Sequence, residues 1–177
     1  HLPDRTLVYD GTVSQIAQQA VWFVLADGLV GNNGYRARNF VYVYDKWVCA
    51  DTTTANLGYT VDTISSVWGN LTGWQFETEI FYNEGKGGIF HEMELVALTG
   101  RVALGADPTI FASYSADGLT YSVERGIKAG KIGDYYKRLT WMRNGRMADW
   151  RTYRFRGTSD AHMSIARLDA RLEPLVW

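Results

Sequence analysis

The stretch Lys137–Arg156, KRLTWMRNGRMADWRTYRFR, carries tryptophans and arginines on two strand-like runs either side of Asn144-Gly145. Asn-Gly between alternating apolar runs is the strongest short-range signal for a two-residue type I′ turn. Such a turn sets Leu139 opposite Trp150 and Trp141 opposite Ala148, on one apolar face. Beyond Trp150 the apolar positions change parity to Tyr153 and Phe155. A strand that keeps one face buried cannot change parity without an extra residue, so a β-bulge is expected near Arg151-Thr152. With that bulge, Arg154 and Arg156 point away from the core. The stretch is therefore first a packed element of a β-domain, and its arginines face solvent or a partner.

The same period governs the neighbouring sequence. In GWQFETEIFYN (73–83), Trp74, Phe76, Ile80 and Tyr82 share one parity and Gln75, Glu77 and Glu79 the other, as in a strand with one wet face. IFHEMELVAL, TIFASYS, LTYSVER and MSIARLDARL follow at sandwich spacings, with a loop at NEGKGG (83–88) and a hairpin turning at Asp117-Gly118. Nearer the start, RTLVYDG runs into an Asp10-Gly11 turn. AVWFVLADG is an apolar run suited to a strand covered on both faces. RNFVYVYDKWVCAD reads as two strands about Asp45-Lys46, and NLGYTVD as one more. Short strands in series, each ended by Asp or Gly, resemble one propeller blade, and one blade cannot close a ring. Helix signals are limited to one or two turns at TVSQIAQQ and TISSVW. The expected fold is all-β: a short propeller-blade-like segment over 1–72, then an antiparallel β-sandwich over 73–177.

Composition narrows the function classes. A chain of 177 residues is long enough to bury roughly 70% of its unfolded surface without disulfides. Aromatic residues make up 14%, and these favour strands. The net charge of −1 gives no reason to expect a nucleic-acid or membrane-surface protein. The average hides an asymmetry: Arg125 to Arg171 holds twelve Lys or Arg against four Asp, and the remainder six basic against fifteen acidic residues. Such polarity describes solvated strand faces, or complementary contacts between copies or partners. Cys49 is alone, so no internal disulfide is possible. No 18-residue apolar run is present, and no signal peptide is expected. The opening on His1 without a Met fits a fragment, a processed product or the ordered part of a longer protein.

Motifs for chemistry are missing their key members. HEMEL starts like a zinc-protease helix, but Leu95 occupies the second histidine position, and His1, His91 and His162 are scattered. NEGKGG lacks both the upstream glycine and the Ser or Thr after Lys86 that a phosphate loop needs. SADGLTYS is similar to the aspartate-box hairpin of sialidase-type propellers, which is a structural turn. No catalytic residue, cofactor or metal is expected. Trp68, Trp74 and Trp177 could stack on sugar, so the alternative is a carbohydrate-binding or glycoside-hydrolysing module, needing two carboxylates about 5–9 Å apart in a cleft. Basic residues interleaved with aromatics resemble a single-strand nucleic-acid surface, but no recognised motif supports it and direct nucleic-acid contact is not expected.

Two further stretches carry a family resemblance. HLPDRTLVYD, and Trp141-x-Arg143-x-Gly145-Arg146-Met147 followed by Tyr153-Arg154-Phe155-Arg156, resemble the packaged-DNA stabilization proteins of short-tailed phages, in that family's C-terminal portion. ASYSADGLTYSVE is similar to the family's strand–turn–strand. The resemblance implies a non-enzymatic virion protein made in the bacterial host cytoplasm. It implies a ring of six copies below the portal and its adaptor, closing the channel after packaging and offering attachment sites to tailspikes and the tail needle. It also implies a propeller-like N-terminal part. On this reading Arg143, Arg146, Arg151, Arg154 and Arg156 are the candidate interface residues, because the planar guanidinium pairs with carboxylates while its stem packs on apolar surface.

Overall fold

The structure, a computed structural model, describes residues 2, 4–31, 33–62, 64, 66–102, 104–158 and 164–176. His1 and Pro3 of the opening motif, His162 and Trp177 lie outside the described residues. The chain divides into two compact units, His1–Gly73 and Trp74–Trp177.

The second unit holds the arginine stretch. Its strands are β8 (Gly73–Glu77), β9 (Phe81–Tyr82), β10 (Gly88–Leu98), β11 (Thr109–Ser115), β12 (Arg125–Lys128), β13 (Leu139–Met147), β14 (Trp150–Thr158) and β15 (Ser164–Pro174). They form a three-stranded sheet, β13-β10-β15, and a five-stranded sheet, β12-β11-β14-β8, with β9 also alongside β14. The two inner faces share one core built on Phe90, Met93, Leu95, Leu139 and Trp141 from the first sheet and Ile110, Tyr153 and Phe155 from the second. Rings interlock across it: Trp141 lies 5.4 Å from Phe155, edge to face, as does Phe90 from Tyr153 at 5.4 Å.

The expected Asn144-Gly145 hairpin is not what forms. β13 and β14 belong to opposite sheets and are joined by Ala148 and Asp149, so Leu139 and Trp150 are not partners. Asn144 and Gly145 lie inside β13. Gly145 pairs with Phe90 and Met142 with Glu92, so Arg143 and Asn144 together stand against His91 alone. That is a β-bulge, and Arg143 (φ 59°) and Gly145 (φ 79°) supply its left-handed backbone. The Asn-Gly preference for positive φ is thus met in a bulge rather than in a turn. On the other side of β10, Phe90 pairs with Leu172 and Glu92 with Arg171, which leaves His91 unmatched. Phe90 and Met93 therefore both reach the core, although they differ in parity.

The bulge expected near Arg151-Thr152 is also absent. β14 runs beside β11 in unbroken register from Phe111↔Arg156 to Ser115↔Thr152. Arg151, Tyr153 and Phe155 consequently share one inward parity. The alternation predicted across 73–83 likewise breaks at Thr78, whose hydroxyl accepts from the Tyr153 amide at 3.0 Å. After that break Phe81, rather than Ile80 or Tyr82, packs on the core. LTYSVER contributes only its last residue to a strand, β12 beginning at Arg125.

The first unit comprises β1 (Thr6–Tyr9), α1 (Gly11–Ala17), β2 (Trp22–Leu25), β3 (Ala37–Val43), β4 (Lys46–Asp51), β5 (Leu57–Tyr59), β6 (Ser66–Val67) and β7 (Asn70–Leu71). They form an antiparallel β1-β2 pair, a β3-β4-β5 meander and a β6-β7 pair. Asp10 does not make a turn with Gly11; its side chain caps α1 by accepting from the Val13 amide at 2.9 Å. The β3–β4 turn is Tyr44-Asp45, both at positive φ (51° and 59°), one residue earlier than expected. Of the stretch TISSVW, Ser66 and Val67 form β6, which closes with β7 about Trp68-Gly69, so its described end is strand rather than helix, while Thr63 and Ser65 lie outside the described residues. The buried Asp51 carboxylate accepts from Arg36, Thr53 and Thr54, joining the loops at one end of the meander. β2 is exposed along Trp22, Phe23 and Val24, so the covering expected on both its faces is not supplied within the described residues.

Candidate functional site

The β13 bulge and the straight run of β14 send the five arginines in three directions. Arg151 goes inward and is only 3% exposed. This corrects its assignment to a partner-facing surface: without a bulge in β14 it shares the parity of Tyr153 and Phe155. One guanidinium nitrogen donates to the Asn144 carbonyl at 2.7 Å and to the Tyr153 hydroxyl at 3.1 Å. The other terminal nitrogen donates to the Arg146 carbonyl. The guanidinium carbon sits 3.9 Å from the Tyr114 ring centroid. A delocalised, weakly hydrated cation can be buried this way among ring faces and carbonyl oxygens, where an ammonium could not. Arg151 fastens the bulged strand to the opposite sheet.

Arg154 and Arg156 lie on the outer face of β14 and are engaged by the segment 119–124 crossing it. The Arg154 guanidinium stacks on Tyr121, 3.6 Å from the ring centroid. Arg156 forks onto Glu124, both contacts at 2.5 Å. The segment is anchored by Asp117, whose carboxylate accepts from the Ser115 hydroxyl and from the Leu119 and Thr120 amides at 2.9, 2.8 and 2.7 Å, and from the Thr120 hydroxyl. The Thr120 hydroxyl, with these amides, holds the Asp117 carboxyl far below the usual carboxylate range.

Arg156 also holds the Glu124 carboxyl below its ordinary value. With the folded pKa below the unfolded one, the pair stabilises fully above the ordinary glutamate range, and that stability is lost as pH falls through the folded value. Arg156 is 40% exposed at its side chain, so screening limits the effect. Glu124→Gln is expected to cost about 0.5–1 kcal/mol at neutral pH. Melts of both proteins across acid pH should show that gap closing. A pH-independent gap would rule out the ion pair as its source.

Arg143 and Arg146 are exposed on β13, and among the described residues neither side chain has a hydrogen-bond or ion-pair partner. Arg143 stands at the mouth of a cleft of about 440 Å³ that opens between the sheets, floored by Met93, Ala112, Trp141 and Tyr153 and rimmed by Arg125 and Arg143. A second cleft, about 690 Å³, lies in the first unit and is lined by Tyr35, Phe40, Cys49, Tyr59 and Trp68 among others. No Asp or Glu lines either cleft among the described residues. Among those residues no group of three or more His, Cys, Asp or Glu is placed to hold a metal ion, and no helix is long and apolar enough to cross a membrane. His91, at the β10 bulge, faces outward and meets Glu173 at 2.9 Å.

An antiparallel sandwich preceded by blade-like sheets places the chain among all-β proteins that combine a β-propeller segment with a β-sandwich. Residues 73–173 match a family model described as bacteriophage P22 Gp10, beta-sandwich, and residues 1–65 match one described as bacteriophage P22 Gp10, beta-propeller. The chain belongs to the bacteriophage P22 Gp10 family. It is 31% identical over 173 residues to the tail hub protein gp10 of Salmonella phage P22, an alignment covering 98% of this chain and 35% of that protein. The chain thus spans about a third of the length of this curated relative.

Proposed function

We propose that the chain is a structural, non-enzymatic component of a phage tail hub. In this reading it resides in the virion after synthesis in the host cytoplasm. It forms part of a ring of six copies that closes the portal channel, retains packaged DNA and offers attachment sites to adaptor, tailspike and needle proteins. The observation that carries this reading is the likeness to a tail hub protein along almost the whole chain, with the propeller and sandwich matches in the same order. The sandwich suits the role physically: a rigid core supports a bulged strand that displays Arg143 and Arg146 without side-chain partners among the described residues. In a ring each copy's patch meets a different patch on its neighbour, and the basic 125–171 segment with the acidic remainder supplies opposite charges for that contact.

The test is the double change Arg143→Ala and Arg146→Ala in otherwise complete particles. Exposed, unpaired arginines should alter folding stability by no more than about 0.5 kcal/mol. Interface arginines whose partners are left buried should cost assembly about 2–5 kcal/mol. Intact folding is expected, with tails that fail to complete or particles that leak DNA. Mutant particles that keep their DNA like wild type over a range of salt would remove both residues from the interface.

The division of labour between the units has its own test. Residues 73–177 contain the interlocked core, whereas the first unit consists of two- and three-stranded sheets with Trp22, Val41, Trp47 and Leu57 exposed. Expressed alone, 73–177 should melt cooperatively and 1–72 should not, because small sheets with open edges and bare apolar faces lack independent stability. A sharp melt of isolated 1–72 would overturn this partition.

A further inference from the structure

Among the strands that end the sandwich sheets, β15 is the longest and the least defended. β8, β9 and β12 are five, two and four residues long, and β13 is bent by its bulge at Arg143–Gly145. Short or bulged edges deter pairing with other chains. β15 runs eleven residues with β10 on one side and, among the described residues, no strand on the other. Its own residues carry no bulge from Arg167 to Pro174, the extra residue at His91 belonging to β10. The Leu175 amide donates to the Gly87 carbonyl at 3.2 Å, which turns the odd-numbered residues of β15 toward β10. Backbone direction alternates along a strand, so the amides and carbonyls of Leu168, Ala170 and Leu172 point off the open edge. Leu168 and Leu172 pack at the margin of the core. Arg167, Asp169, Arg171 and Glu173 have the opposite parity, are exposed, and alternate in sign. Arg167 donates to Asp169 at 3.0 Å, whereas Arg171 has no side-chain partner among the described residues.

We propose that β15 is a self-recognition edge, which pairs antiparallel with β15 of a second copy about a two-fold axis at Ala170. Ala170 then faces Ala170 of the other copy, Leu168 faces Leu172, Asp169 faces Arg171 and Arg167 faces Glu173. Every charge from Arg167 to Glu173 meets the opposite sign. An axis at Asp169 or Arg171 sets like charge on like, which destabilises a strand pair. An axis at Leu168 keeps only the Arg167–Asp169 match and sets Ile165 on Arg171. In the Ala170 register the outward amides and carbonyls face one another. The charged residues fall at the non-hydrogen-bonded pairs, where side chains come closest. Pro174 has no amide to give, faces Ala166, and ends the ladder. Pairing uses up the open edge of each copy, so it stops at two. A two-fold contact uses the same patch on both copies and differs from the head-to-tail contact of a ring. The inference therefore goes beyond the hub reading and stands apart from it: it is measured on the free chain, whereas tail completion is measured in particles.

The experiment is sedimentation velocity of the full 177-residue chain over a concentration series, with a thermal melt of each variant. A reversible monomer–dimer equilibrium is expected. Asp169→Arg sets arginine against Arg171 of the other copy at both symmetry-related positions, and should raise the dissociation constant at least about tenfold. Adding Arg171→Asp to that change restores opposite signs in the Ala170 register, and should return the constant to within about threefold of wild type. In the Leu168 register the same double change would leave Arg167 facing arginine. Ala170→Pro removes the amide at the axis, which points off the edge where proline is tolerated. It should abolish the dimer while the monomer still melts cooperatively. No dimer up to about 1 mM, a dimer indifferent to Ala170→Pro, or a double variant that pairs no better than Asp169→Arg would each overturn the proposal. So would assembly that grows beyond two copies, because a two-fold edge contact closes on itself.

Discussion

Arg151→Ala is expected to lower the folding stability of the sandwich by about 3–5 kcal/mol, although the residue belongs to an arginine-rich stretch that looks like surface. The loss has two parts. The Asn144 and Arg146 carbonyls and the Tyr153 hydroxyl lose their donor, and buried polar groups left unpaired cost about 1–3 kcal/mol each. A void also opens among Phe90, Tyr114 and Tyr153, over which the guanidinium lies. Arg151→Met separates the parts: it refills volume but donates nothing, so it should recover only a fraction of the loss. Denaturant unfolding of the three proteins gives the measurement. An alanine variant within about 0.5 kcal/mol of wild type would mean that the guanidinium is dispensable to the fold.

The other large effect is expected at Gly87, in the NEGKGG loop. Its backbone has φ 72°, which already costs an alanine about 1–2 kcal/mol. A β-carbon there would also sit against the Met147 carbonyl oxygen and 2.5 Å from that of Ala148. The loop cannot move aside, because the Gly87 carbonyl accepts from the Asn83 side chain at 2.7 Å and from the Leu175 amide at 3.2 Å. Gly87→Ala should therefore cost more than about 3 kcal/mol, as overpacking adds to the backbone term. Gly85 is the control two residues away. It has a similar φ of 75°, but its nearest neighbours are side-chain atoms at 3.9 Å, so Gly85→Ala should pay only the backbone cost. Equal losses at the two positions in thermal melts would show that the contact with the 147–148 crossing is unimportant.

Gly87 and Arg151 also mark where local sequence stops being informative. Alternation between apolar and polar residues is a property of a few neighbours, and it located β10, β11, β13, β14 and β15 and the all-β class from the chain alone. The order of a propeller-like part and a sandwich followed from a change of pattern along the chain, and the family from the order of short motifs. Asn144-Gly145 carries a local preference too, for positive φ, but a turn and a bulge satisfy it equally. Choosing between them depended on whether β13 would pair with β14 or with β10. That choice belongs to packing between residues far apart in the chain: Trp141 and Phe155 meet edge to face across the core only when their strands lie in opposite sheets. Once β14 joined β11, its register ran unbroken and Arg151 had to face inward. Arg156 found Glu124, and Arg154 found Tyr121, because Asp117 folds 119–124 over the outer face. Arg143 and Arg146 have no side-chain partner among the described residues. A residue's period along its strand is set by its neighbours in sequence, whereas the sheet it joins, the place of its bulge and the partner of its charge are set by contacts that exist only after the chain has closed on itself.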